Sequence, residues 1–476
     1  MPVEQKDTRP VGSKAAGTSD PAGARPLYPW KTALAILTFL GLLSLPVVIP
    51  ALKNYKTLDW RTVPSVLDFA IRKSSSKPVE EEQARLRPEM QPLTPLPEAI
   101  VDSAQNMDTF YAALLRTEKR EPGAITRILH YGDSPTTADL ITADTRALLQ
   151  QRFGNAGNGF CLIAKPWAWY AHRGVEMSAS GWKIDVAMQP EVHDGLFGLG
   201  GASFRGSEGA VAHFSLRDDG HTRLEVAYLG QPGGGVFSVS AEDRVLGSVA
   251  TNAELRHPGY AAFDIPEGSR HFTIQVTGGT ARLFGVDFGK SGPGVVYNSL
   301  GINGASVSIL ARLFNEQHWA QELRHYNPDL VIVNYGTNES VYPKFVEYAY
   351  TKLMTEVVRR LRNALPNTSI LVMSPMDRGE RDSSGEIDTV PVMPRLVSLE
   401  RQVATDRGCG FFNTFEAMGG AGTMGRWYEA EPRLVGADFI HPMPAGAKIV
   451  GTLLYKALLN GYNKYKMREL ARGSGR

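Results

Sequence analysis

Beyond residue 99 the chain alternates short, almost wholly apolar runs with longer stretches whose apolar positions recur at helical spacing. An amphipathic helix is predicted over Asp102 to Glu118, a strand over Ile125 to Tyr131, and a second helix over Thr137 to Phe153. That second helix has Ala138, Leu140, Ile141, Leu148 and Leu149 on its apolar side. The alternation resumes with a strand at Val295 to Ser299, a helix at Ser306 to Phe314 and a strand at Leu330 to Tyr335. There follow a helix at Pro343 to Leu365, a strand at Ser369 to Ser374, a helix at Arg395 to Arg407, a short strand at Gly410 to Phe412 and a last helix from Pro444 to about Lys464. Strand–turn–helix units in this order predict an α/β domain, a parallel sheet with helices on both faces.

Between 179 and 290 the texture changes. Short alternating runs such as Arg223 to Tyr228, Val236 to Ser240 and His271 to Val276 are separated by turns rich in Gly and Pro, the pattern of a β-sandwich. The module interrupts the α/β domain before its second strand, which divides that domain into 101–178 and 291–465.

The N-terminal region has a different character. Thr32 to Leu52 runs uncharged for about the ~20 residues needed to span a bilayer. A transmembrane helix over 32–52 is the simplest expectation; a cleaved signal peptide and a buried core helix compete with it. The long tail before the run, and the lack of a small-residue cleavage site after it, favour an uncleaved anchor. Residues 1–31 read as a disordered tail, 53–100 as a spacer rich in charge and proline, and 466–476 as a basic, solvated tail. Arg25 and Lys31 face Lys53, Lys56 and Arg61 across the apolar run, so charge asymmetry leaves its orientation open.

Composition narrows the functions. A net charge of +2 over 476 residues gives no reason to expect a nucleic-acid or acidic partner. Cys161 and Cys409 have no metal-site spacing; they are buried apolar residues or a single bridge.

Three short strings carry the chemistry: Gly132-Asp133-Ser134 and Gly336-Thr337-Asn338, each after an apolar strand, and Asp438-Phe439-Ile440-His441 before the last helix. Alone, the first makes an ordinary turn and N-cap. With a histidine and a carboxylate three residues apart in one loop, it reads as a serine nucleophile with its base and the base's orienting partner. Asn338 offers a side-chain amide, and Ser134 and Gly304 offer backbone N–H groups, to a developing oxyanion. Trp167, Trp169, Tyr170 and Trp182 read first as packing at the edge of the module and second as stacking platforms for sugar rings. Asp377 and Arg378 line the pocket or pair with each other.

The four blocks Gly132-Asp133-Ser134, Gly304, Gly336-Thr337-Asn338 and Asp438-x-x-His441 resemble those of the SGNH (GDSL-type) hydrolases. The resemblance implies a flavodoxin-like three-layer fold. It also implies a site made of Ser134, His441 and Asp438 with oxyanion donors Ser134, Gly304 and Asn338, and no cofactor or metal. The third block departs from the family pattern, because Glu339 stands where Asp usually follows Asn; this leaves the donor intact and changes its support. The strings Arg152 to Phe160 and Tyr297 to Gly304 are similar to periplasmic peptidoglycan O-acetylesterases with an inserted β-sandwich, although Pro135 follows the serine where that subgroup often has His. What the resemblance leads one to expect is a membrane-anchored, extracytoplasmic esterase acting on an acylated, cell-envelope glycan. An O-acetyltransferase with the same site, or a glycan-binding scaffold without turnover, is the alternative.

Overall fold

The computed structural model describes residues 99–188 and 194–474. The expected tail at 1–31, transmembrane helix at 32–52 and nearly all of the linker at 53–100 lie outside these residues. Among the described residues no helix is long and apolar enough to cross a membrane.

The α/β part opens with α1 (Asp108–Glu118), β1 (Ile125–Gly132) and α2 (Ile141–Phe153). The module follows as β2 (Gly157–Cys161), β3 (Val175–Val186), β4 (Ala202–Leu216), β5 (His221–Gly230), β6 (Val236–Ala241), β7 (Arg244–Ala250), β8 (His257–Asp264), β9 (His271–Gly278) and β10 (Thr280–Lys290). The chain then returns through β11 (Gly294–Gly301), α3 (Glu316–Tyr326), β12 (Leu330–Asn334), α4 (Thr351–Ala364), β13 (Ser369–Met373), a hairpin of β14 (Gly379–Arg381) and β15 (Ile387–Thr389), α5 (Met393–Asp406), β16 (Gly410–Phe412) and α6 (Pro444–Ser474).

Five parallel strands form the central sheet in the order β11-β1-β12-β13-β16. In order of appearance in the sheet this is 2-1-3-4-5, the flavodoxin-like arrangement, whose reversal beside the first strand opens a crevice at the carboxyl ends. Alternate side chains leave opposite faces. Ile128, Ile332 and Leu371 pack with α1, α2 and α6. Leu129, Val331 and Val372 pack with α3, α4 and α5. Both faces are therefore covered, which is why these strands read as unbroken apolar runs rather than alternating ones.

The module is one antiparallel sheet folded over itself rather than two separate sheets. β4 pairs with β10 through Phe204–Ser207 and with β9 through Val211–Ser215, so β10-β5-β8 and β9-β6-β7 form two wings. Between these pairings Gly209 adopts φ +90°, a conformation that suits glycine, and the register against β3 shifts between Ser180 and Trp182. The wings meet through Phe272 on Phe288 at 5.3 Å and Tyr228 on Phe237 at 5.7 Å. Antiparallel pairing reaches outside 179–290, since β2 joins β10 and β3 begins at Val175. Asn298, on β11, fastens the module down: its Oδ1 accepts from Phe160 N at 2.8 Å and its Nδ2 donates to Ile128 O at 3.1 Å.

Several elements differ from the sequence expectation. The helix expected at Ser306–Phe314 is a single π-turn, Ile309–Leu313. Arg360 of α4 donates to the carbonyls of Leu310 and Phe314 there, filling acceptor positions that continuing helix would have used. The first helix begins at Asp108, because Asp102 turns its carboxylate onto the N–H groups of Asn106 and Met107. The basic tail expected at 466–476 is instead helix through Ser474, held by Lys466 on Glu118 and Arg468 on Asp108. Cys161 and Cys409 are buried free thiols.

Candidate active site

Ser134 follows directly on β1 and starts a single helical turn, Ser134–Thr137, which stacks over the ends of β1 and β11. Gly132 and Gly301 make that possible: a Cβ on the first would collide with Thr136, and on the second with the backbone of Thr136 and Thr137. Ser299 Oγ donates to Thr136 O at 2.7 Å, and Thr137 N donates to Asp133 O at 2.9 Å. Behind the turn, buried Asp139 is gripped by Arg146 through both carboxylate oxygens.

The base comes from the loop before α6. His441 Nε2 lies 2.8 Å from Ser134 Oγ, and His441 Nδ1 lies 2.6 Å from Asp438 Oδ2. The other oxygen, Asp438 Oδ1, accepts from the backbone N–H groups of Ile440 and His441, each at 3.1 Å. Opposed by its burial, the hydrogen bond from His441 and these N–H bonds hold the Asp438 carboxyl at about 2. The same hydrogen bond to Asp438 raises the His441 imidazole above its ordinary value, and partial burial works against the rise.

The loop is shaped by strain. Phe439 sits at φ +59°, a costly region for a bulky residue, so its surroundings must hold it there. Its ring packs on Tyr428 at 4.9 Å and under the Arg381 guanidinium at 5.1 Å, and its carbonyl accepts from Gly379 N at 3.0 Å.

Asn338 follows the end of β12 and donates through Nδ2 to Ala305 O at 2.8 Å, with Asp133 Oδ2 further away at 3.4 Å. Gly304 is exposed, one residue before Ala305, at φ +72°. Among the described residues the N–H groups of Ser134 and Gly304 have no hydrogen-bond partner. The three expected oxyanion donors thus belong to three neighbouring loops, two of them bonded through Asn338 and Ala305. Burial pushes the Asp133 carboxyl up to about 6.

The departure at Glu339 has a structural role. Its buried carboxylate accepts from Val307 N at 2.6 Å and Gly336 N at 3.0 Å, tying the Gly304 loop to the Asn338 loop. Burial raises this carboxyl to about 7. Asp377 and Arg378 do not form a side-chain pair. Asp377 accepts from Thr389 Oγ1 and Met424 N, while Arg378 Nη1 donates to Thr337 O at 2.9 Å and to Ser340 Oγ at 3.3 Å. Tyr170 is buried, with its hydroxyl accepting from Leu162 N; Trp167 packs against the core; Trp182 donates to Val211 O; and Trp169 is exposed. Among the described residues no group of three His, Cys, Asp or Glu side chains is placed to hold a metal ion.

Chemically, the arrangement presents a hydroxyl in contact with an imidazole, a carboxylate behind that imidazole, and N–H donors on adjoining loops, which are the parts an acyl transfer from an ester requires. Residues 268–449 match the model of the GDSL-like Lipase/Acylhydrolase family. No curated protein matches the chain. Among solved structures, a peptidoglycan O-acetylesterase superposes with a TM-score of 0.65 at 20% identity, over 77% of this chain and 99% of that one. A family two carbohydrate esterase from Clostridium thermocellum gives a TM-score of 0.26 at 13% identity, over 60% of this chain and 98% of that one. Residues 268–449 are thus similar to the GDSL-like Lipase/Acylhydrolase family, and the sheet they help to build has the flavodoxin-like strand order.

Proposed function

We propose that this chain is a membrane-anchored serine esterase that removes O-acetyl groups from a cell-envelope glycan, with its catalytic part outside the cytoplasm. The observation that carries the mechanism is the chain of contacts from Ser134 Oγ to His441 Nε2 and from His441 Nδ1 to Asp438 Oδ2, at 2.8 and 2.6 Å. Ser134 Oγ attacks the ester carbonyl while His441 Nε2 takes its proton, and Asp438 holds the tautomer with hydrogen on Nδ1 and stabilises the imidazolium. The N–H groups of Ser134 and Gly304 and the amide of Asn338 receive the oxyanion, and the imidazolium then protonates the departing sugar hydroxyl. A water activated by the same histidine resolves the acetyl-enzyme. Hydrolysis is favoured over transfer to a second sugar by the openness of the base: the His441 and Asp438 side chains are each 48% exposed, so water reaches them freely.

The glycan and the acetyl group are supported by the superposition on the peptidoglycan O-acetylesterase over 77% of this chain, and the anchor by the uncharged run at 32–52. Ser134→Ala and His441→Ala are expected to abolish acetate release from O-acetylated peptidoglycan strands and from 4-nitrophenyl acetate, with the melting temperature unchanged. Full turnover in either variant refutes the mechanism; wild-type turnover of the small ester but not of the strands refutes the substrate.

A further inference from the structure

Arg378 joins the two halves of the site without being used by the chemistry above. It follows β13 at the carboxyl edge of the sheet, beside the loops carrying Asn338 and His441. On one side its Nη1 donates to the carbonyl of Thr337, the residue before Asn338, and to Ser340 Oγ. On the other, the next residue, Gly379, donates its N–H to Phe439 O, between Asp438 and His441. Arg378 therefore touches the oxyanion loop through its guanidinium, while the backbone next to it touches the base loop. It is half-buried, yet among the described residues no carboxylate lies within ion-pair distance of it.

A cation in that position is costly unless something compensates it. Partial burial lowers its pKa, with Glu380 and Asp438 opposing from beyond contact distance. The two neutral oxygens engage a single nitrogen and leave Nε and Nη2 without a partner among the described residues. That remaining edge is a fork of parallel N–H donors, the geometry that fits a carboxylate with two bonds.

We infer that Arg378 is a specificity residue that binds a carboxylate on the glycan, so that the substrate is an O-acetylated sugar chain carrying acidic units beside the ester. The inference rests on the esterase reading for its context but predicts a binding property of its own. An uncharged ester lacks this contact, whereas an acidic chain gains a charge-assisted pair at the point where the oxyanion and base loops converge. That is where a few tenths of an ångström in substrate placement affect the rate most.

The test is calorimetric binding of two acidic sugars, N-acetylmuramic acid and glucuronic acid, each against its uncharged carboxamide, to the full chain and to Arg378→Gln and Arg378→Lys. The wild type is expected to bind at least one acid about tenfold or more tightly than its amide, as a hydrogen bond to a charged group implies. Arg378→Gln should bring the ratio close to one, and Arg378→Lys should keep part of it, because the charge remains while the fork is lost. Equal binding of acid and amide by the wild type, binding of none of the four sugars, or a preference that survives in Arg378→Gln overturns the inference. None of these readings requires turnover, so acetate release by the same wild-type sample reports separately on the esterase reading.

Discussion

Replacing Asp438 by asparagine tests the site with little change of shape. The side-chain oxygen can still accept from the N–H groups of Ile440 and His441, so the strained loop keeps those bonds. At the position 2.6 Å from His441 Nδ1, however, an acceptor is replaced by an amide that donates. The imidazole must then place its hydrogen on Nε2, facing Ser134 Oγ, and it no longer serves as a base. In a serine protease with this arrangement the change costs about 10,000-fold in kcat. Here the pair is half exposed, so water can help the ring to reorient, and a loss of roughly 1,000- to 10,000-fold is expected, about 4 to 5.5 kcal/mol of barrier. The pH profile should shift as well. The base acts when neutral, so kcat/KM rises with pH through the His441 pKa. The wild-type limb lies above the ordinary imidazole value because of the Asp438 hydrogen bond, and without that carboxylate it moves toward acid. Initial rates with 4-nitrophenyl acetate from about pH 5 to 9 would measure both effects. A variant that keeps more than a tenth of the activity, or whose limb stays in place, would falsify the assignment of His441 as base and Asp438 as its partner.

Other substitutions separate the remaining parts. Asn338→Ala should lower kcat by ~100- to 1,000-fold with little change in KM, because its amide acts on the oxyanion; an effect confined to KM would place it in ground-state binding instead. Glu339→Gln keeps one acceptor for two N–H groups and turns a donor on the other; kcat should fall about tenfold as the Gly304 loop loosens, and an unchanged kcat would show that the clamp does not position the donors. Asn298→Leu strands Phe160 N and Ile128 O inside the protein and should cost about 2 to 4 kcal/mol of stability, read from denaturant unfolding; a loss under about 0.5 kcal/mol would mean that the module is held by other contacts.

What was legible in the chain follows from how each element is buried. Strands such as Leu330–Asn334 and Ser369–Met373 are covered on both sides, so they stand out as unbroken apolar runs, and the turns after them mark the crevice. The contact of Asp438 with His441 is also legible, since the two share one loop. Their contact with Ser134 spans 307 residues and is supplied only by the sheet order. Helix α3 is not among the predicted helices: its apolar stripe, Trp319, Ala320, Leu323 and Tyr326, is short and interrupted by buried His318 and Glu322. The extension of α6 past residue 465 depends on Glu118 and Asp108 of α1, and no local pattern encodes that. Glu339 was visible as an unusual residue, but its bonds join two loops whose proximity exists only in the folded protein. Arg378 was equally ambiguous in the sequence, because its partner is a main-chain carbonyl.

The pairing of β2 with β10 has a consequence for how this protein can vary. Lys290 N donates to Ala156 O at 2.8 Å and Ala156 N to Val295 O at 3.3 Å, so the polypeptide leaves the hydrolase and re-enters it at adjoining points. The detour ties off its own neck, and the catalytic scaffold bears little of the entropy of closing so long an excursion. Lengthening, trimming or exchanging the outer hairpins therefore leaves Ser134 and His441 in register. The outer module can therefore diverge rapidly while the geometry around Ser134 stays fixed.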